Sequence, residues 1–315
     1  MPSKLILLFA LVLAWNLPAH SADISAPSAV YALSEPAQLD PVPRRGTLYR
    51  VRHDGKTSYL FGTIHVGKED FFPLEPEVTR ALADSKALVI ELDIRDNAPF
   101  QLALDKHGIY PPGQTIVEHL KPDTLNRLLA ALGHAGISFH TVERYKPWLI
   151  ANLLVGAELQ QHGFERSHAV EYFLLDAAKK QDKAVRELES ADYQLALFDS
   201  MNDAQQESYL RENLNDLDDG DSLKKSVDLI SAWSSADAPR IAAVLHELTT
   251  GDTVSARFMQ NTLLGKRNPE MASSIERIMQ ADQVAFVGVG LLHLIGDHGL
   301  PQLLKQRGYE VEKLY

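Results

Sequence analysis

Two histidines in matching surroundings are the residues of this chain best placed to do chemistry. Tyr59-Leu60-Phe61-Gly62-Thr63-Ile64-His65 reads as a short apolar strand, a glycine and then an imidazole. Far along the chain, Val284-Ala285-Phe286-Val287-Gly288-Val289-Gly290-Leu291-Leu292-His293 repeats the plan with the same Gly-x-x-His spacing. Each glycine lets the backbone bend or approach something closely where the sheet ends. Glu91 follows another apolar run, Ala87 to Ile90, where a carboxylate buried without a partner would be costly. Two imidazoles and a carboxylate form a set that holds a divalent metal and leaves positions for water. Such a metal lowers the pKa of its water and polarises a carbonyl, which is what amide or ester hydrolysis needs. Asp93 shares a strand face with Glu91 if the strand continues, and is a candidate second ligand or general base.

The elements that must position these groups also repeat. After His65 come Leu74, Val78, Ala81 and Leu82 at helical spacing and then the strand Ala87 to Ile90. After His293 come Leu300, Leu303 and Leu304, a stop at Gly308 and a last strand around Tyr309 to Leu314. Two copies of one strand-histidine-helix-strand unit, packed about a pseudo-twofold, would bring His65 and His293 together. The expected fold is therefore α/β (α+β): a central mixed sheet built from two pseudo-symmetric β-GxxH-α-β half-repeats. Asp54-Gly55 between two alternating runs predicts a hairpin that pairs the first histidine strand.

Between the half-repeats, about 120–265 reads as a large helical insertion. Asp123 is expected to cap a helix with Leu125, Leu128, Leu129 and Leu132 on one face. Pro147 suits the first turn of another, and Val170, Phe173, Leu174 and Ala177 mark a third. Ala184 to Leu188 reads as an isolated strand, and the helical pattern resumes from 192 with acidic breaks at Asp216 to Asp221. The block is expected to act as a lid over the site or as a structural cover for one sheet face. Asn268-Pro269 starts a further helix leading into the second histidine strand.

The 315 residues, 45% hydrophobic and 23% charged, have an ordinary globular composition. Residues 1–22 have the charge, apolar stretch and small-residue end of a cleaved export signal, too short for a comfortable membrane span. The expected location is periplasmic or secreted, with no stable membrane insertion after cleavage. Residues 23–45, with four prolines among small and polar residues, read as a tether, and 46–315 as the folded domain. There are no cysteines, which excludes disulfides, thiolate catalysis and cysteine metal sites. A net charge of −11 with no basic block argues against a nucleic-acid partner.

Competing motifs fail. Gly288-Val289-Gly290-Leu291-Leu292-His293 puts a histidine where a dinucleotide fingerprint needs its third glycine, and too little chain follows for a second half. His246-Glu247 lacks the second histidine of a zinc-protease helix. No nucleophile elbow and no phosphate-binding loop are present.

Taken in order, several segments resemble the TraB/GumN family, whose relatives include the membrane-bound Tiki metalloproteases of animals. The matching segments are Leu60 to His65, Val89-Ile90-Glu91-Leu92, Lys146-Pro147-Trp148 and Leu188-Glu189 with Gln194 after it. Arg267-Asn268-Pro269-Glu270-Met271-Ala272 and Gly290-Leu291-Leu292-His293-Leu294 complete the set. The resemblance implies divalent-metal-dependent hydrolysis of a peptide or other small substrate, with manganese or cobalt as the usual metals; zinc suits the same donors. It implies that His65, Glu91 and His293 are metal ligands or catalytic. Arg267 would join them by holding a carboxylate or an oxyanion, the bland account being a salt bridge. Asn268, Glu189, Gly62 and Gly290 would contact substrate, the bland accounts being a helix cap for Asn268 and an ordinary ion pair for Glu189. Ala169-Val170-Glu171 departs from the family pattern, which has a glycine and an aspartate there, and this puts any substrate contact from that helix in doubt. Two other readings remain open: a metal-dependent esterase, and a non-catalytic peptide- or haem-binding protein with histidines as axial ligands.

Overall fold

Apolar alternation decides which side of the sheet each strand residue faces. In the computed structural model, which describes residues 42–95, 97–282 and 284–315, six strands form one mixed sheet in the order β4-β3-β5-β2-β1-β6. The expected export signal and most of the tether lie outside the described residues. β1 (Leu48–His53) and β2 (Lys56–Thr63) make the predicted hairpin. Asp54 and Gly55 both take positive φ, 48° and 73°, the turn whose twist suits paired strands. β3 (Ala87–Ile90), β4 (Ala184–Glu187) and β5 (Ala285–Gly290) run parallel to β2, while β6 (Glu310–Lys313) pairs antiparallel with β1.

Both histidine units contain the predicted strand, helix and strand, with helices Pro76–Asp84 and Leu300–Gln306. Their last strands land differently. β3 lies directly against β5, whereas β1 stands between β2 and β6. The hairpin thus takes the place that a strict twofold would give to β6. The register between the central strands is also offset by one residue, since Gly62 faces Val289 and Thr63 faces Gly290.

Helices cover both faces. Leu60, Val89 and Val287 pack with Met271 and Ile275 of the helix Arg267–Asp282 and with Leu300 and Leu304. Phe61, Leu88, Ile90 and Phe286 point the other way, into the cluster that holds the helical block. Within that block the helix Pro147–Gln161 buries residues around most of its circumference, from Trp148 to Leu159, and is its central member. The block therefore covers a sheet face, and residues 184–188 are not isolated from the sheet. The helix Val170–Lys180 packs on β3 and returns the chain, so that β4 pairs with β3 as the edge strand.

Two further expectations are corrected here. The helix Pro122–His134 starts at Pro122, which leaves Asp123 in the first turn rather than at the cap. Its buried face holds Leu128 and Leu132, but Leu129 is 41% exposed. Among the described residues no helix is long and apolar enough to cross a membrane.

Trp233, at the end of the helix Asp221–Ser234, fastens the block to β2. Its indole N–H donates to Gly62 O at 2.8 Å, and its carbonyl accepts from Gly46 N–H at 2.6 Å. Gly46 holds φ +64°, and a Cβ there would sit 2.5 Å from Gly62 O, so only glycine permits this approach. Trp233→Phe keeps most of the apolar contact but orphans the Gly62 carbonyl. We expect it to lower stability by about 1–2 kcal/mol, read as a lower midpoint in urea unfolding.

Candidate functional site

Because β2, β3, β4 and β5 are parallel, they finish at one end of the sheet. Each delivers a polar side chain within three residues of its last paired position: His65, Glu91, Glu189 and His293. Open crevices at the carboxyl ends of parallel strands are where α/β proteins bind ligands.

Arg267, with no exposed side-chain surface, holds the carboxylates together. Its Nη2 donates to Glu91 Oε2 at 2.7 Å, and its Nε donates to Glu189 Oε1 at 2.9 Å. The other oxygen of Glu91 accepts the Gly290 backbone N–H at 2.6 Å. Burial pushes the Glu91 carboxyl up, but the charges of Arg267 and the two histidines, with the Gly290 hydrogen bond, outweigh it and hold the group down at about 2.

His293 is completely buried. The Asn268 amide N–H donates to His298 O at 2.8 Å, which turns the Asn268 carbonyl toward His293 Nδ1. His293 therefore carries its proton on Nδ1 and presents Nε2 toward Glu91 Oε1, 3.8 Å away. Burial pushes its pKa down to about 3 against the pull of Glu91. His65 is handled in the opposite way. Burial lowers its pKa, but the Glu171 carboxylate, 2.9 Å from Nδ1, and the charge of Glu91 together outweigh it and leave the pKa raised.

Gly290 shows how closely the two histidines converge. A Cβ built there would lie 3.1 Å from Glu91 Oε1, 3.4 Å from His65 Nε2 and 3.7 Å from His293 Cδ2. The bare glycine leaves a cradle bounded by one carboxylate oxygen and two imidazole edges. Gly62, in the matching motif, does a different job. A Cβ there would meet Leu291 Cδ1 at 2.7 Å, so this glycine admits the segment before His293.

Sequence reasoning was too generous to one residue and missed another. β3 ends at Ile90, and Asp93 turns to Arg95, with its Oδ2 2.6 Å from Nη2, instead of joining the histidines. Glu171, from the helix whose departure from the family pattern cast doubt on it, is the partner of His65. The only signal in the sequence was an acid in the first turn of a helix; its burial, to 6% exposure, is seen in the structure. Its helix is pinned beside the site by Val170 N–H to Ile64 O at 3.1 Å and by paired bonds between Gly67 and Glu165. His298 is exposed, as a turn histidine should be.

Among the described residues no group of three or more His, Asp or Glu side chains is disposed as a ready-made metal-ligand set. In kind, the donors at the Gly290 cradle fit a divalent metal. Each imidazole is oriented through Nδ1 by an outer partner, Glu171 or Asn268, and turns Nε2 inward beside a carboxylate oxygen. As they stand, Glu91 is shared with Arg267 and Gly290, so closing the set requires the carboxylate to shift. The histidines face Glu91, Glu171 and Asn268, with Arg267 on the far side of Glu91. A separate cavity of about 270 Å³, lined by Leu92, Asp93, Phe100, Arg166, Val185 and Ser190, opens beside the end of β3.

The Glu91 shift makes an acid-stability prediction. Its folded pKa of about 2 lies below the ordinary 4.5, so its contribution is complete above pH 4.5 and is lost as pH falls toward 2. About 3 kcal/mol is expected to disappear across that window. Glu91→Gln should flatten this part of a stability-versus-pH curve measured by denaturant unfolding.

Fold and site together define an α/β protein with a buried histidine, carboxylate and arginine centre at the ends of parallel strands. The chain belongs to the TraB/PrgY/gumN family, whose model matches residues 47–313. It is 28% identical over 254 residues to YbaP of Shigella flexneri, covering 79% of this chain and 88% of that protein. It is 25% identical over 308 residues to metalloprotease TIKI2 of Danio rerio, covering 81% of this chain and 58% of that one. Human metalloprotease TIKI1 is 23% identical over 314 residues, at 84% and 61% coverage. The chain thus spans less than two thirds of those Tiki proteins. No solved structure matches it.

Proposed function

We propose that this protein is an exported, divalent-metal-dependent hydrolase that cleaves peptides at the Gly290 cradle. The observation that carries the reading is the convergence of His65 Nε2, Glu91 Oε1 and the His293 ring on one glycine, each group oriented from outside. Similarity to metalloproteases at about a quarter identity supports the same reaction class.

In this reading His65, Glu91 and His293 hold the metal, manganese or cobalt by family resemblance. When bound, it supplies Lewis acidity toward a water and toward the scissile carbonyl. Glu171 and Asn268 fix the two imidazoles, so that their Nε2 atoms face the cradle without rotamer searching. Arg267 helps keep Glu91 ionised at neutral pH and supplies a fixed positive charge beside the cradle for an oxyanion. Because Glu171 favours the protonated form of His65, metal binding has to displace that proton, and affinity falls as pH is lowered.

Elemental analysis of the purified protein, paired with a peptide-library cleavage screen with and without chelator, tests the proposal. About one divalent metal per chain is expected, with cleavage lost on chelation and restored by manganese or cobalt. Cleavage that continues undiminished in chelator, or in His65→Ala and His293→Ala, would remove the metal mechanism.

A further inference from the structure

β4 is the edge strand at the site's end of the sheet, and among the described residues no strand pairs with its outer side. Ala184, Arg186 and Glu187 are exposed along it. Leu188 N–H donates to Ile90 O at 2.9 Å. Alternation along the strand therefore turns the backbone groups of Arg186 inward, to β3, and those of Val185 and Glu187 outward. Outward N–H and C=O groups are a template for another extended chain.

Both faces of this edge carry hollows. On the side of Val185 lies the cavity of about 270 Å³ that reaches Leu92, just past the end of β3 and one residue beyond Glu91. On the side of Arg186 and Leu188 lies a second of about 310 Å³, lined also by Ser274, Arg277 and Ile278. A chain paired to β4 would send successive side chains alternately toward one hollow and the other. The strand then runs on through Leu188 into Glu189, which is bonded to Arg267 at the centre itself.

We propose that the outer edge of β4 binds the extended backbone of a peptide substrate by strand addition, with the two flanking cavities taking alternate side chains. This rests on the hydrolase reading and gives it a substrate class: unstructured segments rather than folded domains or dipeptides. The sheet sets the length. A chain added beyond β4 lies three strand spacings from β5, roughly 14 Å at about 4.8 Å each. About four extended residues cover that span, at roughly 3.3 Å each. With two residues paired to the edge, the shortest good substrate has about six residues.

The test is binding, read by fluorescence anisotropy on chelator-treated wild-type protein. The probe is a fluorescein-labelled decapeptide of alternating leucine and serine, with a series carrying one backbone N-methyl group at each position. Loss of affinity by tenfold or more at alternate positions over the paired segment, with little effect between them, is the expected result. Val185→Pro, which removes an outward N–H, should weaken binding to a similar degree, whereas Val185→Thr should not. Unlabelled tripeptides should compete poorly and hexapeptides well. A scan without a two-residue period, or tripeptides that compete as well as hexapeptides, overturns the proposal whether or not Val185→Pro folds. Periodic binding with no cleavage under any metal keeps the edge site and rejects the hydrolase. Cleavage that ignores both N-methylation and Val185→Pro does the reverse.

Discussion

Glu91→Ala is expected to abolish hydrolysis, by a factor of at least about 10³, and to destabilise the fold by about 3 kcal/mol. Three things depend on that carboxylate: one end of the buried Arg267 guanidinium, the Gly290 backbone N–H, and the inward face of the cradle. Arg267 retains Glu189, which keeps the loss below that of an isolated buried charge. Glu91→Gln separates the two effects. With its carbonyl kept on Gly290 N–H it preserves that bond and the side-chain volume, and gives up the charge and the acceptor for Arg267 Nη2, so it should fold with smaller cost than Glu91→Ala yet remain inactive. Steady-state cleavage and urea unfolding on both variants make the comparison. An active Glu91→Gln protein would place the chemistry elsewhere.

Gly290→Ala is the sharper probe of where the reaction happens. Gly290 has φ −50° and ψ 134°, which any residue can adopt, so alanine adds no backbone strain. Its methyl group would project into the space between Glu91 Oε1 at 3.1 Å and His65 Nε2 at 3.4 Å. We expect a thermal midpoint close to wild type and activity reduced by at least about 100-fold, because the methyl group fills the space where the proposed reaction takes place. A Gly290→Ala variant with normal turnover would contradict the cradle assignment directly.

What could be read from the chain follows a physical divide. The hairpin at Asp54-Gly55, the strands before each histidine and the buried end of β3 at Glu91 are written in local patterns of turn residues and apolar runs. So the pairing of His65 with His293 at one site was legible once the Gly-x-x-His motif was seen twice. Strand order was not legible, because nothing local tells β1 to stand between β2 and β6 or β4 to join β3. Asp93 was over-read because the strand was assumed to continue past Ile90, where the chain instead turns toward Arg95. Glu171 was under-read because an acid in a helix's first turn has a sufficient local reason to be there, in the helix dipole. Its contact with His65 spans two elements and is visible only in three dimensions. The two glycines of the repeated motif illustrate the same limit: identical spacing, but one opens a cradle and the other admits Leu291.

The position of β5 has a consequence for biosynthesis. It is the fifth strand to be made, yet it lies between β3 and β2, and neither of these pairs with the other. Until residues 285–290 emerge, the nascent chain has two apolar strands with bare inner borders, the condition that invites mispairing with neighbours. A product truncated before this point keeps those borders bare, and the two histidines cannot be brought together ahead of β5.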